Sequence, residues 1–239
     1  MKALLCLFPL LGLALAQRQP ARDVISKFRE VAPKYMDIVK TGETNLEQVQ
    51  GEARDMMSKF HNDMIRIKES YVVAAIRKES EMHGLVTGQA DEVDRTCLGF
   101  LNTTLDMSMD LAGAGFTNCI NNADESFNGM LADYLNATEV QEALLNEIRL
   151  LDVFRGDNVF YQDSPYNIIN KLDKKLDDMK INPESLSANL ETVKEKLNGD
   201  LESIRFKYVL CMTQAEQLLN SSVDVIMAQL TFSCLGSVL

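Results

Sequence analysis

The sequence predicts an all-α protein, an elongated antiparallel helical bundle or long helical hairpin that two disulfide bonds staple together. Two observations predict this fold class. Apolar residues recur at alternating steps of three and four along most of the chain, which is the period of one helix face. Four cysteines follow an N-terminal secretory signal, and an even number of cysteines in a secreted chain is typical of disulfides.

The first sixteen residues, MKALLCLFPLLGLALA, have the pattern of a cleaved signal peptide. One lysine precedes an apolar run that ends on the small-x-small sequence Ala14-Leu15-Ala16. The run is too short to span a bilayer, which needs about 20 residues, and no later stretch of that length lacks charges. We therefore expect residues 1–16 to be removed, leaving a secreted, extracellular chain that begins near Gln17 and has no membrane span.

Residues 17–90 are predicted to form an N-terminal helical segment. A helix over about 21–40 comes first, and Pro33 is expected to kink or split it. A longer helix then begins with Thr44 as its N-cap, because Glu47 three residues later completes a capping box. Its apolar positions keep the three-four rhythm for some 30 residues.

A second helical region is predicted over 91–234, after a boundary that Gly84 and Gly88 mark. Its first helix is expected to bury an apolar stripe that includes Phe100, Met107 and Leu111. The sequence LAGAG weakens this helix, since each glycine costs roughly 1 kcal/mol in helix propensity. The glycines indicate either a kink or the close approach of another backbone.

Shorter helices are predicted over about 140–154 and 167–180, with a turn-rich stretch between them. The last helix is expected to begin at Asn182 as its N-cap with Pro183 at its first position. Its apolar positions form a long stripe that includes Cys211. Residues 235–239 are expected to be a C-terminal tail.

The cysteines that remain after signal removal are Cys97, Cys119, Cys211 and Cys234. Their first and last gaps correspond to roughly 33 and 34 Å of helix. Two antiparallel helices with such matched gaps can be bridged at both ends, which predicts the nested pairs 97–234 and 119–211. The alternative pairs 97–119 and 211–234 require the LAGAG glycines to fold their helix into a hairpin. Cys234 lies about 140° from Cys211 in helical phase, so we expect the last helix to fray before it.

Three Asn-x-Ser/Thr sequons predict glycosylation at Asn102, Asn136 and Asn220. Each asparagine is displaced from the apolar stripe of its own helix by more than a right angle in helical phase. All three are therefore expected to face away from the core, where a bulky glycan is tolerated.

The second half of the chain resembles the secreted insect proteins with the TsetseEP domain. The resemblance depends on the signal, Cys97, the run GFTNCINNADESF around Cys119, LLDVFRGDNVFYQDSPYNII, KYVLC at Cys211, and Cys234. It covers roughly 97–234 and marks 91–234 as a disulfide-linked TsetseEP-like domain, without the glutamate-proline repeat tail of the namesake. The resemblance implies an extracellular, mostly helical insect protein, often linked with gut or other secretory epithelia, without an established biochemical activity.

Charge and motifs exclude several classes of function. Without Lys2 the net charge changes from −11 to −12, which argues against nucleic acid and against anionic membranes, since both select basic patches. None of the common nucleotide-binding, hydrolase or metalloprotease motifs is present. The cysteine gaps do not fit zinc ligands, and His61 and His83 are interpreted as solvated helix residues. We expect no catalytic site, no cofactor and no metal site.

Two non-enzymatic functions remain. The first is an interaction or structural glycoprotein that binds an extracellular protein or glycan partner. The alternative is an extracellular carrier that holds a small hydrophobic ligand in a helical cavity. Eleven methionines in the mature chain are compatible with an adaptable ligand site, but methionine also fills ordinary cores. The three-four spacing favours interdigitated helices over a large cavity, so the interaction role is preferred.

Overall fold

The computed structural model describes residues 18–88, 95–147, 149–159 and 163–235, and these are all-α, with no strand among them. Three long helices follow one another along the chain: α1 (Arg18–Gly88), α2 (Arg95–Glu147) and α3 (Ser164–Gln229). A 3-10 helix (Leu150–Phe154) lies between α2 and α3, and a π-helical segment (Leu230–Leu235) continues α3. The predicted signal peptide, the start at Gln17, the start of the second region near Asp91 and residues 236–239 lie outside the described residues.

The helices are longer than the sequence predicts. α1 continues through Pro33, and the hydroxyl of Thr44 donates to the carbonyl oxygen of Lys40 one turn earlier (2.8 Å). The predicted N-cap at Thr44 is therefore wrong, because its side chain bonds the backbone within a continuous helix. α2 likewise continues beyond residue 140, and α3 passes without a break through the predicted start at Asn182. The side chains of 178–184, including that cap, lie outside the described residues.

Two compact units divide the chain. Unit 1 combines Met1–Glu52 with Tyr134–Glu195, and unit 2 combines Ala53–Asp133 with Lys196–Leu239. Each long helix thus contributes one segment to each unit. The two units together combine residues from before and after residue 90. The domain boundary predicted near residue 90 therefore stays a prediction.

Unit 1 is organised around two clusters of buried apolar residues. The first joins the start of α1, the 3-10 helix and the start of α3, through Val24, Val31, Leu150, Val153, Ile168 and Leu172. Phe28 and Phe154 add a ring contact with centroids 5.6 Å apart. The second cluster joins later parts of the same helices, through Leu46, Val49, Leu145, Leu186 and Leu190. Charged side chains connect the helices at the surface, where Lys27 meets Asp173 at 2.7 Å.

Unit 2 contains three helical segments in a defined register. α1 and α2 are antiparallel, because Phe60 stacks on Phe127 (5.5 Å) while Tyr71 meets Phe116 (6.4 Å). α1 and α3 are parallel, with partners a constant 142 residues apart: the Tyr71 hydroxyl bonds Thr213 at 2.6 Å and Lys78 donates to Asn220 at 2.8 Å. α2 and α3 are antiparallel and are joined by the disulfides. Each helix of the unit therefore has two neighbours.

The apolar stripe predicted for the part of α2 before Cys119 is wrong. Its buried positions are Leu98, Leu101, Leu105, Ser108, Ala112, Phe116 and Cys119. Phe100, Met107 and Leu111, which the spacing of apolar residues predicts to be buried, are instead exposed. The three-four rhythm is present on two sides of this helix, and a single sequence contains nothing to show which side is covered. In α3 most of the predicted stripe is buried, but Leu218 is exposed and Leu219 is buried in its place.

The LAGAG sequence lies in unbroken helix and marks a close approach. A Cβ atom added to Gly115 would lie 3.1 Å from the Cβ of Ala215 on α3, whereas one added to Gly113 would meet nothing within 4 Å. Of the two predictions for these glycines, the close approach is confirmed at Gly115 and the kink is not needed. The small residue lets α2 and α3 come together one turn from Cys119.

Candidate functional site

The disulfides follow the nested pairing. Cys97 bonds Cys234 and Cys119 bonds Cys211, with Cα–Cα distances of 5.9 and 5.7 Å. Both distances are ordinary for disulfides. The pairing predicted from matched helical spacing is confirmed. Cys211 joins α3 to α2 from a half-buried position, and the fully buried residue of this turn is Met212.

Cys234 comes to face Cys97 because the helix changes from α to π hydrogen bonding near its end, not because the helix frays. The chain stays helical to Leu235, and Leu230–Leu235 adopts π-helical hydrogen bonding. A helix with i to i+5 bonds turns through a smaller angle per residue than an α-helix. These six residues therefore rotate Cys234 back toward Cys97, and Cys234 is buried. The predicted fraying before Cys234 is wrong.

The three sequons differ in their surroundings. Asn136 is exposed, as expected. Asn102 is half-buried with its amide oxygen buried and without a hydrogen-bond partner, and Asn220 is half-buried and accepts a bond from Lys78. The expected outward orientation is wrong for these two. The stripe of Phe100, Met107 and Leu111 faces solvent, and Asn102 lies on the other side of α2. Asn220 faces α1. Glycosylation at all three positions stays a prediction.

An apolar groove opens on unit 2 beside the stacked aromatic rings. It has a volume of about 240 Å³, is open to solvent, and is lined by residues that include Phe60, Met64, Ile120, Phe127 and Tyr208. Burial raises the pKa of the Tyr208 phenol. His61 lies at the rim, where its Nδ1 donates to the Met57 carbonyl oxygen at 2.8 Å and its ring meets Phe127 edge-on at 4.6 Å.

A second groove of about 240 Å³ lies between α1 and α2 of the same unit. Its lining includes Val72, Ile76, Met109 and Phe116. Ligand pockets for small molecules usually measure roughly 300 to 1,000 Å³ and surround most of the ligand. Each of these grooves is smaller than that and is open on one side, so each suits a side chain of a partner better than an enclosed molecule.

Three residues of unit 2 place possible metal ligands near one another. One atom each of Glu79, His83 and Asp106 lies within 4.8 Å of the others. Glu79 and His83 are one turn apart on α1, and the His83 Nε2 is 3.6 Å from a carboxylate oxygen of Asp106 on α2. Imidazole and carboxylate groups suit zinc or a similar cation. The same geometry also describes an ordinary histidine–carboxylate contact at the surface, so the expectation that His83 is a solvated helix residue stays a prediction.

The buried hydroxyl groups of α2 bond their own helix. Ser108 donates to the carbonyl oxygen of Thr104 at 2.8 Å, and Thr138 donates to that of Leu135 at 2.9 Å. A nucleophilic hydroxyl needs a neighbouring general base. These two side chains instead satisfy backbone acceptors.

No protein-family model, characterised protein or solved structure matches this chain. Within the described residues, one helix, Ser185–Leu235, is long and apolar enough to cross a membrane by length and composition. Its most apolar 18-residue stretch has a mean hydropathy of 1.3 and is 28% buried. Core helices of soluble proteins meet the same criterion, so the predicted absence of a membrane span stays a prediction.

Proposed function

We propose that the protein is a secreted, non-enzymatic glycoprotein with an extracellular interaction or structural role, at gut or other secretory epithelia. The observation that carries the proposal is the pair of nested disulfides that join α2 to α3 across unit 2. Disulfides persist in oxidising, extracellular-type environments. They fix the spacing and rotation of two helices, and so present the outer side chains in one arrangement.

The resemblance to insect proteins with the TsetseEP domain adds the tissue to this proposal. It also supplies the expectation of a role without catalysis. The buried hydroxyls of α2 support that expectation, because Ser108 and Thr138 are bonded to their own helix.

The carrier remains the second candidate, and the two apolar grooves are the observation in its favour. Their linings are apolar and aromatic, as ligand sites commonly are. We rank the interaction role higher because the grooves are open and of about 240 Å³. Native mass spectrometry with lipid extraction separates the two roles, since a carrier yields a stoichiometric apolar molecule.

The proposal is tested by expressing the full chain, with its own N-terminus, in cultured insect cells. We expect the protein in the medium, beginning near Gln17, without free thiols, and with a mass that falls on glycosidase treatment. Asn136→Gln should remove one glycan, because this asparagine is exposed. Asn121→Gln is the matched control, since Asn121 is not part of a sequon.

Retention in the cell with an intact N-terminus would contradict secretion. An unchanged mass after glycosidase treatment would contradict glycosylation. The first result would remove the extracellular role, whatever the fold, and the second would remove only the glycans from the proposal.

A further inference from the structure

Six large apolar side chains are exposed along α2 and α3 between the two disulfides. We call them the interdisulfide face: Phe100 (62% exposed), Met107 (61%), Leu111 (71%), Leu218 (71%), Val225 (55%) and Phe232 (80%). All six belong to unit 2. Large apolar residues are exposed singly on most proteins, but a contiguous set of this size marks an interaction site.

The disulfide register places the six residues in three rows. Cys97 opposes Cys234 and the helices are antiparallel. In the first row, Phe100 lies three residues after Cys97 and Phe232 lies two residues before Cys234. In the second row, Met107 lies ten residues after Cys97 and Val225 nine before Cys234. In the third row, Leu111 lies fourteen residues after Cys97 and Leu218 sixteen before Cys234. Each exposed apolar residue of α2 therefore has an exposed apolar neighbour on α3.

Both stripes lie on the side of the disulfide seam that faces away from α1. At 100° per residue, Phe100, Met107 and Leu111 fall within about 40° of one another on α2, and Leu218 and Val225 within about 20° on α3. Phe232 follows them in the π-helical segment and is 80% exposed. On both helices each exposed residue of the stripe before the π-helical segment directly precedes a buried one, as Met107 precedes Ser108 on α2 and Val225 precedes Ile226 on α3, so each stripe is offset by about 100° in the same sense from the buried positions of its own helix. In an antiparallel pair the same offset puts both stripes on one side. The two stripes consequently flank one seam and form one surface.

Charged residues are scarce between the disulfides. Over 98–118 and 212–233 they are Asp106, Asp110, Glu216 and Asp224, all acidic. Asp106 contacts His83 on the α1 side. In the whole chain, by contrast, 25% of residues are charged. The face therefore avoids the charge that covers the rest of this acidic protein.

The exposed area fits a dimer of this chain. A large side chain presents on the order of 150 Å² or more when fully exposed, so the six residues expose roughly 700 Å². A stable interface buries about 800 Å² on each partner. A second copy brings the same uncharged face, and a twofold axis makes such a contact closed and self-complementary.

We propose that the interdisulfide face is the interface of a homodimer. A lipid surface is the less suitable occupant, because interfacial helices carry lysine and arginine beside their apolar residues. Here the charged residues beside the face are acidic. The proposal requires the folded, oxidised unit 2 and does not depend on the extracellular role.

The test is the mass of the full secreted protein by sedimentation equilibrium, from about 1 to 100 µM, since a stable interface of this size gives affinities in the micromolar range or tighter. We expect twice the chain mass. Met107→Glu and Val225→Glu place a carboxylate in the middle row, so each should weaken the dimer about 100-fold or more, because an unpaired buried charge is costly. Phe206→Glu is the matched control, on α3 and 70% exposed but outside the face. It should leave the dimer unchanged.

Circular dichroism and disulfide mapping show whether each variant is folded, and exposed positions should tolerate the change. A monomer at every concentration would overturn the proposal. An equal effect of Phe206→Glu would also overturn it. Flotation with phosphatidylcholine vesicles that Met107→Glu abolishes, from a protein that is monomeric in solution, would assign the face to lipid and overturn the dimer.

Discussion

Unit 2 contains both disulfide bonds, whereas the described side chains of unit 1 meet through apolar clusters and ion pairs. In unit 1 the 3-10 helix Leu150–Phe154 brings Leu150 and Val153 into the core beside α1 and α3. Its surface carries Lys27–Asp173, Lys194–Glu52 and Lys171–Asp157. Surface ion pairs of this kind are each worth little, so unit 1 depends on its buried residues.

In unit 2 a covalent link replaces part of the packing that holds helices together in unit 1. The disulfides hold α2 and α3 together whether or not the outer surface of the pair is buried. Large apolar residues are exposed in both units, with Leu151 of unit 1 among them. In unit 2, six of them lie beside a covalent link between two described helices. The contrast between the two units can be tested at the disulfides of unit 2, in the core of unit 1 and at the half-buried carboxylate of Asp157 in unit 1.

The largest effect is expected from removing a disulfide. Closing the loop from Cys119 to Cys211 stabilises the fold by about 4 to 5 kcal/mol in the chain-entropy model. The double variant Cys119→Ser, Cys211→Ser should lose free energy of unfolding of that order. Hydrogen exchange should rise in unit 2 and change less in unit 1. Equal loss of protection in both units would show that the comparison is wrong.

A smaller effect is expected from the core of unit 1. Ile168 is fully buried in the first cluster, so Ile168→Ala should lower the free energy of unfolding by about 2 to 5 kcal/mol. Leu151→Ala is the control, since Leu151 is 72% exposed and should change stability by about 0.5 kcal/mol or less. Urea denaturation measures both. A tolerated Ile168→Ala would mean that the cluster does not stabilise unit 1.

The smallest effect on the free energy of unfolding is expected when the pH is lowered. A hydrogen bond from Lys171 (2.6 Å) is the main cause that lowers the pKa of Asp157. A carboxyl with a lowered pKa stabilises the fold above its ordinary pKa, and this contribution is lost as the pH falls through the folded-state value. Asp157→Asn should therefore reduce the loss of stability between neutral pH and pH about 2.

Glu52→Gln provides the comparison within unit 1. Hydrogen bonds from Gln48 and then Lys194 lower the pKa of Glu52, but its side chain is 40% exposed and that of Asp157 is 11% exposed. Solvent screens the more exposed pair, so Glu52→Gln should reduce the acid sensitivity less. A larger effect of Glu52→Gln would contradict this order.

The sequence alone predicted the all-α class and the nested disulfides. Helix periodicity is a local property of the backbone, and the rise of 1.5 Å per residue converts cysteine gaps into lengths. The pairs 97–234 and 119–211 follow from those lengths because both chain segments are helical from one cysteine to the other. The glycine at 115 was similarly informative, since a missing side chain permits a close approach.

The tertiary structure decided which side of each helix is covered. Phe100, Met107 and Leu111 follow the three-four rhythm as well as Leu98, Leu101 and Leu105 do, and only the positions of α1 and α3 separate the exposed set from the buried one. The half-buried Asn102 and Asn220 depend on the same neighbours. A helical pattern gives the phase of a stripe but not the direction in which it points, because that direction is set by partners distant in sequence.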